Sequence, residues 1–311
     1  MTNKLISIVT PTYNEEQNIK LLCDEIRLKM NSYTNLNYEH IVIDNDSYDE
    51  TQNILRNCAK DDKKIKLIFN RRNFGWVRSF YHGLLQADGD AVIMLASDFQ
   101  DPLDLIDEYI KKWQDGSNIV LSKKVDSDEN FLMKTIRRTF YKFIAKISQT
   151  KLTLNTTGYG LFSKKVIQEL KKINDPYPYF RGLITELGFK IDFAEFHQPA
   201  RMNGISKMKF NDLYDIAILG IVKHSKFPLR FITILGFVTS ILSMLVAVVY
   251  FIAKLIFWDN FSAGVAPLVI GIFGVGSLQI FLLGLIGEYV GTILTQSRNL
   301  PLVFEKERIN F

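Results

Sequence analysis

The sequence predicts an α/β fold with a mainly parallel sheet, followed by two membrane-spanning helices. Its first part alternates short β-rich runs with amphipathic helical stretches, a pattern typical of right-handed strand–helix–strand crossovers. Polar clusters follow the first four strands. Two uncharged apolar stretches, Phe231–Ala253 and Phe261–Gly287, lie near the end of the chain. Each exceeds the roughly 20 residues that a helix needs to cross a bilayer.

The strands of the predicted sheet are short, and each begins or ends beside turn-forming residues. In a parallel sheet, ligands bind at the carboxyl ends of the strands, so the polar clusters there predict one shared site. The predicted helices cover 16–30, 50–60, 75–87 and 103–114. The predicted strands are Leu5–Thr10, Glu39–Asp44, Ile65–Phe69, Ala91–Ser97 and Asn118–Ser122.

Charge and composition narrow the possible partners. Hydrophobic residues make up 47% and charged residues 23% of the 311 residues, which suits a protein that is part soluble and part membrane-bound. The net charge is only +5, but basic residues cluster in Lys123–Lys146 and beside the apolar stretches. Such clusters favour anionic lipid surfaces or phosphate groups. No nucleic-acid-binding motif accompanies them, so we expect no nucleic-acid partner.

The chain is expected to divide into four parts, with an α/β domain over 1–206 and a juxtamembrane amphipathic helix over 207–229. A two-helix transmembrane hairpin follows over 230–296, and a cytosolic tail over 297–311. Basic residues flank the outer ends of the hairpin, which predicts a multi-pass protein of the cell membrane with both termini in the cytosol. The basic amphipathic helix predicted over 131–147 can lie in the membrane interface or pack on the sheet.

The strongest motif is Ala96-Ser-Asp-Phe-Gln-Asp-Pro102 at the end of the fourth strand. Asp98 leaves an apolar strand, and Gln100 lies two residues further on the same side. Carboxylate and amide oxygens there suit a hard divalent cation that bridges a diphosphate. Asp101 has an alternative role, because it is also suited to cap a helix that opens at Pro102.

Two further motifs follow the first and second strands. In Val9–Glu16, Thr12 or Asn14 can cap the next helix, so this motif is weak by itself. In Ile43–Thr51, Ser47 or Asp49 can do the same. Asp44, at the end of its strand, can accept hydrogen bonds from a base N–H or a ribose hydroxyl.

Together these motifs resemble the family 2 glycosyltransferases of the GT-A fold. The similarity is greatest to the polyprenyl-phosphate glycosyltransferases, which include dolichol-phosphate mannose synthases and bactoprenol glucosyltransferases. It covers the whole chain, and the motifs that carry it are Pro11–Glu15, Asp44–Ser47, Arg72–Gly75, Asp98–Pro102, Arg201–Lys207 and Gly287–Gly291.

The resemblance implies a membrane-anchored inverting enzyme. It would move a sugar from a nucleotide diphosphate sugar, which we expect to be a UDP-sugar, to polyprenyl (undecaprenyl) phosphate on the cytosolic leaflet. The product would serve cell-surface glycan biosynthesis. The implied cofactor is a divalent cation, Mg²⁺ or Mn²⁺, and the implied assembly is a homotetramer.

The resemblance also assigns roles to individual residues. Catalysis is assigned to Asp98 and Asp101, and metal binding to Asp98 and Gln100. The residues implied for the nucleotide sugar are Pro11, Tyr13, Asn14, Glu15, Asp44, Arg72, Asn73 and Asp98. Those implied for the acceptor phosphate are Lys123, Arg137, Arg138, Arg201 and Lys207.

Three positions depart from the family pattern. Ala96 stands in place of the first Asp of the Asp-x-Asp metal motif, and Trp76 in place of a lysine after the Arg72–Gly75 loop. Gly158 stands where related enzymes carry an acid that has been proposed as a base. A phosphate monoester, whose second pKa is about 6, needs no base to become a nucleophile. It needs positioning, and cations that offset repulsion from the donor diphosphate.

Two other functions are weighed against this one. A degenerate transferase that scaffolds or regulates a glycan-assembly complex is suggested by Ala96 and Gly158. A processive polysaccharide synthase is disfavoured, because the sequence has no Gln-x-x-Arg-Trp element and two spans make a poor polymer channel.

Overall fold

An eight-stranded sheet with helices on both faces forms the body of the protein, and two long helices follow it in the chain. The computed structural model describes residues 4–127, 156–199, 218–223, 225, 227–256 and 265–311. The strands are β1 (Lys4–Thr12), β2 (Leu36–Asp44), β3 (Ile65–Asn70), β4 (Ala91–Met94), β5 (Ile119–Ser127), β6 (Thr156–Ser163), β7 (Ile191–Gln198) and β8 (Glu305–Ile309). The helices are α1 (Ile19–Asn31), α2 (Thr51–Asp61), α3 (Trp76–Gln86), α4 (Leu105–Gln114), α5 (Lys164–Lys171), α6 (Phe180–Glu186), α7 (Phe227–Ile256) and α8 (Val265–Ser297).

All five predicted strands and all four predicted helices of the first part are confirmed, with small shifts at their ends. The largest shift is in β5, which ends at Ser127 and not at Ser122, and β4 ends at Met94 and not at Ser97. The chain leaves the sheet there and turns at Phe99, whose φ of 57° lies in the left-handed region. The predicted helix 131–147 lies outside the described residues. Of the predicted segment 207–229, residues 218–223 are helical.

The order of the strands is β7-β5-β6-β4-β1-β2-β3-β8. Strands β1 to β4 are mutually parallel, and β5 and β7 share their direction, whereas β6 and β8 run antiparallel to their neighbours. From β1 the chain builds outward to β2 and β3, and then returns to place β4 on the other side of β1. This reversal leaves a crevice between the carboxyl ends of β1 and β4, the usual place for a ligand in a sheet of this type.

Two apolar layers stabilise the sheet, one on each face. Helices α1, α2 and α4 pack on one face over strand residues such as Ile8 and Phe69. Helices α3, α5 and α6 pack on the other face over residues such as Ile43 and Phe162. Because both faces are covered, the central strands are nearly continuous runs of buried residues, as β2 shows.

The C-terminal residues form strand β8, which the sequence did not predict. It pairs antiparallel with β3 and so covers what would be an open edge of the sheet. Arg56 on α2 binds the Glu307 carboxylate with both terminal nitrogens, at 2.8 and 2.6 Å. Asn310 donates to the carbonyls of Ala59 and Ile65, each at 2.8 Å. The residues after α8 therefore return to the sheet of the α/β domain.

Helices α7 and α8 are long and apolar enough to cross a membrane, over Phe227–Val246 and Gly274–Ser297. Their large apolar side chains are exposed, among them Phe237 and Ile280. A contiguous apolar surface of this length is unfavourable in water and suits a lipid environment. The Tyr289 hydroxyl near the end of α8 donates to the carbonyl of Ser225, just before α7, at 3.0 Å. This hydrogen bond connects the last part of α8 to the residues that precede α7.

The buried His40 on β2 predicts acid sensitivity. Its Nε2 lies 3.0 Å from Thr10 Oγ1, and burial lowers the pKa of the ring to about 4. The unfolded chain takes up this proton near the ordinary histidine pKa of about 6.5, so stability should fall by about 3 kcal/mol in total as the pH drops through that window. Thermal unfolding of detergent-solubilised protein between pH 7 and 4 measures this effect. The variant His40→Gln should lose that part of the pH dependence; equal slopes for both proteins would refute it.

Candidate active site

The loops at the crevice contain most of the residues that the sequence assigned to a nucleotide sugar. Pro11 pairs with Ile43 and Thr12 with Asp44 in the parallel β1–β2 register. The motifs that follow β1 and β2 therefore lie side by side at the carboxyl edge of the sheet. The N–H of Asn45 continues this pairing by donating to the Thr12 carbonyl at 3.0 Å. The sheet itself therefore brings the first two motifs together.

Hydrogen bonds between the first two loops hold both in shape. The backbone N–H of Asn14 donates to Ser47 Oγ at 2.8 Å, and that of Glu15 donates to Thr51 Oγ1 at 2.8 Å. Asn14 Oδ1 in return accepts from the N–H of Tyr48 at 3.0 Å. Asn14 adopts a left-handed φ of 53°, which asparagine tolerates better than most residues. Ser47, one of two predicted helix caps, thus connects the loops.

Asp44 is fully buried at the end of β2, and among the described residues only one of its carboxylate oxygens accepts hydrogen bonds. Its Oδ2 accepts from the N–H of Ser47 at 3.1 Å and from Gln52 Nε2 at 2.8 Å. Its Oδ1, like Thr12 Oγ1, has no hydrogen-bond partner among the described residues. Burial raises the pKa of this carboxyl, against those two hydrogen bonds. Two open acceptors side by side suit the donor groups of a nucleoside.

Asn45 joins the loops after β2 and β3, and the sequence did not single it out. Its Oδ1 accepts from Asn70 Nδ2 at 3.0 Å, the Phe74 N–H at 3.0 Å and Ser79 Oγ at 2.8 Å. Its Nδ2 donates to Asn73 Oδ1 at 2.7 Å. All four bonds depend on contacts between segments distant in sequence, so no local pattern could have found them.

Contacts inside the loop that carries Arg72 and Asn73, and contacts with the chain after α8, fix its shape. Asn73 Oδ1 also accepts from the Gly75 N–H at 2.8 Å, so this side chain organises the loop. Arg72 is exposed and stacks on Phe74, with its guanidinium 4.3 Å from the ring centre. From outside, Arg78 donates to the carbonyls of Leu302 and Pro301 at 2.6 and 2.9 Å. The chain after α8 thus supports this loop.

Asp98 and Asp101 place two carboxyl groups at the crevice. Both are nearly buried, at 8% and 4% exposure. Asp98 Oδ1 accepts from the N–H of Gln100 at 3.2 Å, whereas Asp101 Oδ1 has no partner in the described part of the chain. Burial, and then the charge of Asp98, raise the pKa of Asp101 to about 7. Asp104 occupies the N-cap position of α4, so Asp101 is not the helix cap that the sequence offered as an alternative.

These residues fit a divalent cation that is shared with a ligand. Among the residues that the structure describes, no three His, Cys, Asp or Glu side chains surround one point. A cation here would take oxygens from Asp98 and Gln100, with the Asp101 carboxyl beside them. Its remaining coordination positions would be left to water and phosphate oxygens, which hard cations prefer.

On the far side of β4, the candidate acceptor residues are only partly described. Lys123 on β5 pairs with Glu195 on β7 at 2.7 Å, and its neighbour Lys124 contacts Gln198. Arg137, Arg138, Arg201 and Lys207 lie outside the described residues, so their roles stay predictions.

Arg181 on α6 is a cation that sequence reasoning missed on this side. Its side chain lies over Gly158 of β6, as the contacts of a Cβ placed at that glycine show. Arg181 belongs to none of the six motifs, and only the packing of α6 against β6 brings it to this position.

Comparison with known proteins agrees with this geometry. The model of the family described as "Glycosyl transferase family 2" matches residues 7–171. The chain belongs to that family. An uncharacterized glycosyltransferase of Synechocystis sp. is 32% identical over 298 residues, covering 96% of this chain and 93% of its own. The bactoprenol glucosyl transferase of Shigella phage SfV is 32% identical over 297 residues, covering 95% and 96%.

Solved structures are more distant. Glucosyl-3-phosphoglycerate synthase of Mycobacterium tuberculosis, in a complex with Mn²⁺, UDP and glucosyl-3-phosphoglycerate, is 17% identical with a TM-score of 0.47. The match covers 70% of this chain and 78% of that one. This similarity is too low to transfer a ligand. The family assignment, with the sheet described above, confirms the predicted GT-A class and makes the protein a glycosyltransferase.

The four hydrogen bonds of the Asn45 side chain predict the effect of its removal on ligand binding and on stability. Asn45→Ala would leave the Phe74 N–H without its acceptor and remove one hydrogen bond each from Asn70, Asn73 and Ser79, at a cost of about 1–3 kcal/mol for each group that water cannot reach. We expect a lower thermal unfolding temperature together with weaker binding of UDP, measured by calorimetry. Asn53→Ala is the matched control, because the side chain of that exposed asparagine bonds Glu50 alone among the residues that the structure describes. Wild-type UDP affinity in Asn45→Ala would contradict the prediction.

Proposed function

We propose that this glycosyltransferase moves a sugar from a nucleotide diphosphate sugar to a polyprenyl phosphate at the membrane surface. The single observation that carries the proposal is the position of Asp98 and Asp101 at the crevice of a domain whose chain continues into two apolar helices. The near full-length match to a bactoprenol glucosyl transferase supports a polyprenyl phosphate acceptor.

The donor occupies the half of the crevice formed by β1, β2 and β3. The open acceptors Asp44 Oδ1 and Thr12 Oγ1 receive hydrogen bonds from the nucleoside, and we expect a UDP-sugar. Asp98 and Gln100 would hold a divalent cation, Mg²⁺ or Mn²⁺, beside Asp101. Such a cation would offset the negative charge that builds on the departing diphosphate.

The chemistry is a single displacement with inversion. An oxygen of the lipid phosphate forms a bond to the anomeric carbon while the bond from that carbon to the diphosphate oxygen breaks, and the nucleoside diphosphate leaves. The phosphate is largely dianionic near neutral pH, so no proton has to be removed from it. The absence of an acid at Gly158 is compatible with this reaction.

The return of the chain to the sheet supports a specific membrane topology. Strand β7 and strand β8 belong to one sheet, and α7 and α8 lie between them in the chain. If each helix crosses the bilayer once, the chain comes back to the side that it left. The basic flanks of the hairpin favour the cytosolic side. The homotetramer implied by the resemblance stays a prediction.

Asp98→Asn is expected to abolish transfer while leaving the protein folded, because it removes the charge that holds the cation. Transfer is measured with purified protein, a prenyl phosphate and a panel of nucleotide sugars, in Mg²⁺ or Mn²⁺. Asp104→Asn is the control in the same loop, since that side chain is 95% exposed, and it should keep wild-type activity. Retained transfer in Asp98→Asn would remove this residue from the mechanism.

The same assay separates the alternative functions. A lipid-linked monosaccharide is the expected product for the wild-type protein. Long polymer would indicate a polysaccharide synthase, and absence of turnover with every donor would indicate a scaffold.

The topology predicts which residues a membrane-impermeant thiol reagent can reach in intact cells. In a variant with both native cysteines replaced by serine, Asn260→Cys in the link between the helices should be labelled from outside. Lys306→Cys, in exposed β8, should be labelled only after the membrane is opened. External labelling at position 306 would refute the proposed orientation.

A further inference from the structure

We infer that Arg181 binds the phosphate of the acceptor and so takes part in substrate binding in this chain. The inference rests on the proposed function for the nature of the substrate, but its own argument is geometric. Strand β4, which is followed in the chain by Asp98, divides the sheet into two halves.

The sheet order assigns Arg181 to the acceptor half. Strands β1, β2 and β3, with the open acceptors of the nucleoside pocket, lie on one side of β4, and β6, β5 and β7 lie on the other. An attacking phosphate must approach the anomeric carbon from the side opposite the departing diphosphate, since the displacement inverts the centre. The donor therefore fills the β1 side, and the acceptor phosphate comes from the β6 side.

The start of β6 lies beside the end of β4, from which the chain continues to the metal motif. Gly160 of β6 pairs with Met94, the last residue of β4, four residues before Asp98. Gly158 lies two residues before Gly160, in a part of β6 where the pairing with β5 shifts in register. Gly158 and the loop that carries Asp98 therefore lie at the same edge of the sheet.

Gly158 gives the Arg181 side chain its position. Gly158 has a left-handed φ of 89°, and a Cβ built there would lie 3.6 Å from Arg181 Cγ and 3.8 Å from Arg181 Nε. The arginine stem thus covers the face of the strand that has no side chain. A larger residue at 158 would compete for this space and would strain the backbone as well.

Aromatic packing fixes the helix that carries Arg181. The Phe80 ring contacts both Tyr159 and Phe180 edge-on, with centroids 5.6 and 4.8 Å apart. These contacts tie α3, β6 and α6 together around the neighbours of Gly158 and Arg181. A guanidinium held on such a base is preorganised for an oxyanion, and its planar fork matches phosphate geometry.

The charge balance of the site favours this assignment. Two anionic substrates meet beside Asp98 and Asp101, so cations must offset the repulsion. Arg181 adds a guanidinium at the strand where the resemblance implied an acid.

The test uses the full-length protein in detergent with a short-chain prenyl phosphate. Arg181→Gln should weaken binding of this lipid about tenfold or more, the usual loss for a charge-assisted hydrogen bond. The KM for the lipid should rise in step, while UDP affinity and thermal unfolding stay at wild-type values. Arg181→Lys keeps the charge but not the fork, so it should recover part of the affinity. Arg27→Gln is the matched control, since it removes a guanidinium that pairs with Asp24 on α1.

The outcomes separate this inference from the proposed function. If the wild-type protein transfers sugar and Arg181→Gln binds the lipid normally, the inference is overturned and the function stands. Weakened UDP binding equal to the weakened lipid binding would also overturn it, because it would place Arg181 on the donor. If no donor supports transfer, yet lipid binding still depends on Arg181, the inference stands and the proposed reaction fails.

Discussion

The reversal of strand order at β1 and β4 is the constraint on which the rest of the site depends. Parallel strands deliver their following loops to one edge, and the reversal separates two of those loops so that a ligand can enter between them. Asp44 closes one side of this crevice and Asp98 follows the other. Neither residue would be informative in isolation, since each could serve a turn or a helix start. Backbone pairing sets the carboxyl ends of β2 and β4 on either side of β1, and this brings the loops that carry Asp44 and Asp98 to the same edge of the sheet.

A second level of order comes from polar groups that the protein satisfies internally. Asn45 uses its whole amide to hold the loops after β2 and β3, and Ser47 and Thr51 hold the loop after β1. Against this background the unsatisfied atoms are informative. Asp44 Oδ1, Thr12 Oγ1 and Asp101 Oδ1 are buried oxygens without partners among the described residues. A protein tolerates such groups where a ligand completes them.

The sequence predicted what is local and missed what depends on distant contacts. Strands β1 to β5 and the helices between them follow from hydrophobic periodicity, and the motif residues follow from their places at strand ends. The sequence did not predict strand β8, because Glu305–Ile309 is short and mostly charged. This segment becomes a strand by pairing with the edge of β3. Asn45 and Arg181 were not predicted as site residues for a related reason. Asn45 acts through four bonds to β3, to the loop after it and to α3, and Arg181 is brought to the site by the packing of α6 on β6.

Glycine at position 158, where the resemblance implied an acid, has a physical interpretation that unites these features. An acid would serve a nucleophile that must lose a proton, but it would also add a negative charge where two phosphate-bearing substrates meet. A dianionic phosphate gains nothing from a base and is repelled by one. Glycine removes that charge and frees the strand surface on which the Arg181 stem lies. The site then becomes less negative, as an anionic acceptor requires, while Asp98 and Asp101 still place two carboxyl groups at the crevice.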